Sequence, residues 1–158
     1  MTETGITVDD KAVLWALSRL SFKQMDKAYR TGMKKALDPI LKQTKLNLRK
    51  SGIRNVNKPY VSRINGKRYL SMMQGVKTSV YIGNTEDSYG KVHIMKEFRL
   101  KWFEKGTTIR KTSKGYNRGS IAPKWFFRTA VMQKSKEAAD SLDENIRISI
   151  QKAWDKRK

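Results

Sequence analysis

The sequence predicts an α+β fold in one domain spanning residues 1–158, a small antiparallel sheet packed against long N-terminal and C-terminal helices. Three observations predict it. Apolar residues recur at three- and four-residue steps at both ends of the chain, they alternate over two short segments in the middle, and 158 residues are enough for one core. Zero cysteines leave that core without disulfides or thiolate metal sites, which suits a reducing compartment. Four Trp and eleven Tyr and Phe residues supply large apolar area despite a hydrophobic fraction of only 38%.

The elements follow in order. Asp9 or Asp10 is placed to cap a first helix through "KAVLWALSRL", with Val13, Leu14, Leu17 and Leu20 on one stripe. After Ser21 a longer helix is expected, its stripe formed by Phe22, Met25, Tyr29, Met33, Ala36 or Leu37, and Ile40. Pro39 should kink it or begin a new segment, and Ser51-Gly52 should end it. Residues 51–73 carry turn chemistry at Asn57-Lys58-Pro59 and Asn65-Gly66, and "YVSRI-NG-KRYLS" reads as a loop or a β-ribbon closed by a two-residue Asn-Gly turn. "GVKTSVYIG" places Val76, Thr78, Val80 and Ile82 on one face; "KVHIMKEF" does the same with Val92, Ile94 and Phe98, so the two should pair antiparallel. "KWFEKGTTI" reads as a third strand or a helical turn, residues 105–120 as a loop, and the stretch after Pro123 as one helix of some 30 residues with Ala138, Leu142, Ile146, Ile150 and Trp154 as its stripe.

Charge is the dominant feature: 35 Lys and Arg against 14 Asp and Glu give +21. Residues 51–128 carry 17 basic and 4 acidic side chains, whereas the flanking parts are nearer balance. Such a chain should meet a polyanion or be held near one. The N-terminus lacks the basic start of a secretory signal and no run approaches the ~20 apolar residues of a membrane span, so no membrane partner is expected.

Enzymatic chemistry finds little footing. His93 is the lone histidine, flanked by Val92 and Ile94 with no partner for a metal site or a triad. Glu86, Asp87, Glu97 and Glu104 are the carboxylates that a divalent-ion nuclease would need. Two lie in a probable turn and the others are seven apart, without a metal-ligand spacing. No catalytic residue, cofactor or metal is expected. "GTTIRKTSKGYNRGS" matches no phosphate-loop signature, and Trp125-Phe126-Phe127 suits packing better than base stacking.

"WFEKGTT", a polar loop, and "IAPKWFFRTAV" leading into a terminal helix resemble the tail-completion or neck proteins of long-tailed bacteriophages, the gp-ten-like group named after an HK-type coliphage. That family shows an aromatic-acid-x-Gly-Thr block, a loop of variable length, and a Pro-aromatic-x-Arg-x-Ala block. Trp102, Phe103, Glu104, Gly106 and Thr107 fit the first; Pro123, Phe126, Arg128 and Ala130 approximate the second. The chain departs from the pattern where Lys124-Trp125 separate Pro123 from Phe126, and in its long basic stretch 51–70. The resemblance implies a non-enzymatic subunit that joins head to tail, assembles into a homo-oligomeric ring, and meets connector and tail proteins. It would reside in the host cytoplasm during assembly and then in the neck or tail end of the virion.

On that reading Trp102-Phe103 and Trp125-Phe126-Phe127 bury and fix both ends of a loop whose tip reaches a neighbour. Two groups of cations are the expected contacts to DNA or to acidic protein surfaces: Arg49, Lys50, Arg54, Lys58, Arg63, Lys67 and Arg68, and Lys105, Arg110, Lys111, Lys114 and Arg118. A nucleic-acid-binding protein acting in the cell is the alternative, with the basic middle gripping phosphates.

Overall fold

A computed structural model describes residues 21–83 and 88–156. The expected helix from Asp9 or Asp10, and the turn carrying Glu86 and Asp87, lie outside them.

Ser21 opens helix α1 (Phe22–Lys50) with a capping box: its hydroxyl accepts from the Gln24 backbone while the Gln24 side chain returns to the Ser21 amide. Helix α1 runs through Pro39 as one element, so Pro39 does not begin the new segment that was one of the two expectations there. Proline removes one backbone bond there, and the packing of α1 on both sides holds the helix across the gap. Its buried line keeps Met33, Ala36 and Ile40 of the expected stripe but otherwise differs. Ala28, Gly32, Ala36, Ile40, Thr44 and Leu48 recur at strict four-residue steps with Met33 beside them, while Phe22 is exposed. Small residues won over large ones because two helices approach this line closely.

Those helices are α4 (Phe126–Asp140) and α5 (Leu142–Asp155), which replace the single terminal helix expected after Pro123. Ser141 separates them, yet its amide still bonds Glu137 O and its carbonyl still accepts from Asn145, so the helical register continues. The pair lies antiparallel along α1. The Asn47 side chain donates to Phe126 O at one end, and Gly32 faces Asn145 and Ile146 further along.

On the remaining side α1 carries a hairpin of β3 (Lys77–Tyr81) and β4 (Tyr89–His93), paired antiparallel with Thr78 opposite Val92 and Val80 opposite Gly90. Gly90 allows the approach: a Cβ there would stand 2.8 Å from the Leu37 side chain. The Arg30 guanidinium, paired with Asp26, donates to Val80 O and fastens the sheet to the helix. Strand β4 ends at His93, short of the expected "KVHIMKEF", and Phe98 belongs to the helix that follows.

A second two-stranded sheet pairs β1 (Tyr60–Val61) with β2 (Arg68–Tyr69). This is the expected ribbon, but its loop is four residues long. Ser62 and Lys67 bond through the backbone, and Asn65-Gly66 closes the loop with Gly66 at φ +65°. Two short helices, α2 (Met72–Gly75) and α3 (Phe98–Lys105), complete the chain. The core gathers where these parts meet the end of α1: Leu48, Val56, Met72, Val76, Ile94, Leu100 and Phe126 form one buried cluster.

The closest helix crossing gives a prediction. A Cβ on Gly32 would stand 2.6 Å from Ile146 Cα, against backbone that cannot swing aside. Gly32→Ala should therefore destabilise by about 1–3 kcal/mol in a urea titration, despite the helix propensity that alanine gains. A more stable variant would show that the two helices are not in contact at this point.

Candidate functional site

The two blocks of the resemblance meet at the junction of α3 and α4. Helix α4 begins badly on its own: its N-cap is Trp125, in the left-handed region at φ 47° and ψ 27°, with no side-chain cap. Glu104, four-fifths of the way along α3 and buried, supplies the cap from outside. Its Oε2 accepts from the Phe127 amide at 2.9 Å and its Oε1 from the Arg128 amide at 2.8 Å. A carboxylate at a helix N-terminus also faces the positive end of the helix dipole. In return the segment before α4 satisfies the end of α3, since Lys124 N donates to Phe103 O and Trp125 N to Glu104 O.

Gly106 and Thr107 close the other side. Gly106 sits at φ +75°, and a Cβ on it would lie 2.7 Å from Ile121 O and 3.0 Å from the Pro123 ring, so only glycine fits. Thr107 pairs twice with Ile121: its amide donates to Ile121 O at 2.9 Å and its hydroxyl accepts from Ile121 N at 3.0 Å. Phe126 and Ala130, one turn apart, are both buried on the core side of α4. Glu104, Gly106 and Thr107 thus hold this junction, and Phe126 and Ala130 anchor α4 in it.

From this junction residues 107–121 project as a narrow hairpin. Arg110 and Arg118 bond through the backbone, Lys111 bridges to Asn117, and Thr112 to Gly115 form the tip turn. Arg110, Lys111, Lys114 and Arg118 are all exposed on it, and Lys105 is exposed at its root. Two tryptophans differ from expectation. Trp102 is 44% and Trp125 is 42% exposed, and only Phe126 of the five aromatics is fully buried, with Phe103 and Phe127 half-buried. Trp125 is turned outward by its left-handed backbone, with the Arg128 guanidinium 5.6 Å from its ring. Trp102 lies on the outer side of α3, edge-on to Phe98 at 5.1 Å.

The first cationic group surrounds the β1–β2 ribbon. Arg54 and Lys58 line an open cleft of about 340 Å³ with Arg99 and Phe103, whereas Arg63, Lys67 and Arg68 lie on the exposed ribbon, and Arg49 and Lys50 end α1. Arg99, which sequence reasoning missed, fastens the ribbon. It pairs with buried Glu97 at 2.7 Å, donates to Leu70 O and lies 4.9 Å from the Tyr60 ring. Glu97 is two residues away, but Leu70 and Tyr60, the ribbon partners, are 29 and 39 residues away, so no local spacing announces the fastening. Glu97 itself caps α3 through the Arg99 amide.

Of the four carboxylates weighed as metal ligands, Glu97 and Glu104 are thus helix caps while Glu86 and Asp87 lie outside the described residues, and no group of three His, Cys, Asp or Glu lies together among the described residues. Their burial has an electrostatic consequence. From Ser51 to Arg128, the described residues expose no carboxylate at all against 17 basic side chains. No helix among the described residues is long and apolar enough to cross a membrane. His93 lies on the outer face of β4, 2.8 Å from the Ser79 hydroxyl. Burial first, and then Lys91, Lys96 and Lys77, hold its imidazole below the ordinary histidine range.

Comparison with family models, with curated proteins and with solved structures finds no match to the chain.

Two predictions follow from the junction and the strand. Glu104→Ala removes two charge-assisted bonds and leaves two amides without acceptors, so it should cost about 2–4 kcal/mol in denaturant titration, and Glu104→Gln, which keeps one acceptor, about half. A variant as stable as the parent would mean that α4 finds another cap. The single histidine signal in NMR should titrate below pH 6.5. Because its folded pKa is the lower one, the unfolded chain binds the extra proton first, and stability should fall as pH drops from 6.5 through the folded pKa; His93→Gln should flatten that slope.

Proposed function

We propose that the chain is a non-enzymatic structural subunit of a phage or prophage particle, a tail-completion or head-tail joining protein that assembles into a ring in the neck. The observation that carries this reading is the Glu104 carboxylate spanning from the first motif block to the second. Glu104, Gly106 and Thr107, which carry the resemblance, lie at the root of the 107–121 hairpin, and that placement supports the reading. A hairpin on a fixed root can reach a neighbouring subunit, and its cations suit acidic surfaces of connector and tail proteins or DNA passing between them. Assembly would take place in the host cytoplasm and end in the virion.

A second reading is favoured by one specific observation: between Ser51 and Arg128 no carboxylate is exposed among the described residues. Such a surface would grip phosphates in a nucleic-acid-binding protein acting in the cell.

The neck reading predicts that loss of the gene leaves DNA-filled heads and separate tails in electron micrographs of the lysate. Fully joined, infectious particles from that mutant would end it. The nucleic-acid reading predicts duplex binding that survives physiological salt, with log affinity falling linearly against log salt over several phosphates. Binding lost well below physiological salt would reduce the charge to nonspecific attraction.

A further inference from the structure

The ribbon and the outer side of α3 expose an apolar surface away from the Glu104 junction. Four rings form a continuous row: Tyr60 to Tyr69 at 5.9 Å, Tyr69 to Phe98 at 5.2 Å and Phe98 to Trp102 at 5.1 Å between centroids. On the other face of the narrow ribbon Val61 and Leu70 are exposed, and Ile64 at its tip is 98% exposed. Cations lie on both faces, with Lys67 near the Tyr69 ring and Arg63 and Arg68 exposed. An exposed ribbon of this kind, rich in aromatic side chains and arginine, has the composition of an interface core. Its occupant must bring acid and apolar groups together, because no described carboxylate of the surrounding segment is exposed.

The same chain carries such a surface elsewhere. Glu137, Asp140, Asp143 and Glu144 fall within eight residues at the α4–α5 junction, with no basic residue among them. Asp140, Glu144 and Ile148 stand at four-residue steps in a continuous register, all three exposed. Asp140 and Glu144 have no ion-pair partner among the described residues, so their charge is available to a neighbour. The two surfaces occupy different places in the fold. The junction lies along the middle of α1, next to the Gly32 crossing, and the ribbon lies beyond the C-terminal end of that helix.

We propose that the ribbon face of one copy docks on the acidic α4–α5 junction of the next, head to tail. The proposal rests on the ring reading and gives it the two surfaces that meet. Because they are different patches, each subunit offers one and uses the other, and the contact propagates until rotation closes it. The charge pairing sets register and steers encounter, while the aromatic row and Ile64 supply the desolvated centre. A single nucleic-acid strand could stack on the rings, but Val61, Ile64 and Leu70 offer it nothing, which favours protein.

The test uses charge reversal on the whole chain: Asp140→Lys with Glu144→Lys in one variant, Arg63→Glu with Arg68→Glu in another, with circular dichroism to check that both fold. All four side chains are exposed. By sedimentation velocity at high micromolar concentration and low ionic strength, the parent should self-associate and dissociate as salt rises. Each variant alone should associate at least about tenfold more weakly, and an equimolar mixture should regain association, since each reversed surface then meets its complement. Ile64→Ser should weaken association without touching the charge. A parent that stays monomeric, variants that associate as the parent does, or a mixture that regains nothing would each overturn the proposal. So would loss of oligothymidylate binding in the Arg63→Glu, Arg68→Glu variant with self-association intact, which assigns the face to nucleic acid. Joined particles after gene loss would instead count against the neck reading and leave the self-contact standing.

Discussion

A carboxylate that accepts two backbone amides across a loop of twenty residues holds the end of one helix to the start of another. Without Glu104 the first turn of α4 has no acceptor for its amides, because Trp125 at the cap position contributes none and sits in a backbone region that costs about 1–3 kcal/mol. Much else depends on this junction. Phe126 enters the core only if α4 starts where it does, and Ala130, one turn on, is buried on the same side. The root of the hairpin is defined by the same contacts, since Gly106 and Thr107 follow Glu104 directly and Pro123 precedes the capped turn.

The burial of Glu97 and Glu104 links this mechanical role to the electrostatics. Both carboxylates serve helix starts and neither reaches solvent, so the middle of the chain is more cationic outside than its composition suggests. The acids that remain exposed are concentrated where α4 hands over to α5. A subunit with cations on one part and acids on another is prepared for head-to-tail contact, and a net charge of +21 limits how closely copies approach unless those parts meet. The proposed neck assembly and the alternative contact with nucleic acid would draw on one surface pattern.

Much of the fold was legible in the sequence, and the reasons differ by element. The β3–β4 hairpin announced itself through strict alternation, and α1 through its apolar period and the Ser51-Gly52 stop. The stripe of α1 was right at Met33, Ala36 and Ile40 and wrong toward the N-terminus, because large residues such as Phe22 dominate a hydrophobic reading whereas close helix contact selects Ala28 and Gly32. Pro39 was expected to kink or interrupt a helix that tertiary packing carries through it. The aromatics flanking the hairpin were expected inside, and Trp102 and Trp125 are half outside: a helix of eight residues cannot bury every side, and a left-handed cap turns its side chain away. The motif positions were found by resemblance alone, and their reason, a cap supplied from 23 residues away, has no local signature. Arg99 and the ring row from Tyr60 to Trp102 were invisible for the same cause.

Amide hydrogen exchange on the intact chain tests the junction most directly. First-turn amides of a helix ordinarily lack acceptors and exchange quickly. If the carboxylate holds the junction, Phe127 and Arg128 will exchange only with global unfolding, while Lys114 and Gly115 at the hairpin tip exchange orders of magnitude faster. Exchange at Phe127 and Arg128 as fast as at the tip would mean that Glu104 does not cap α4 in solution, and the hairpin would lose its fixed root.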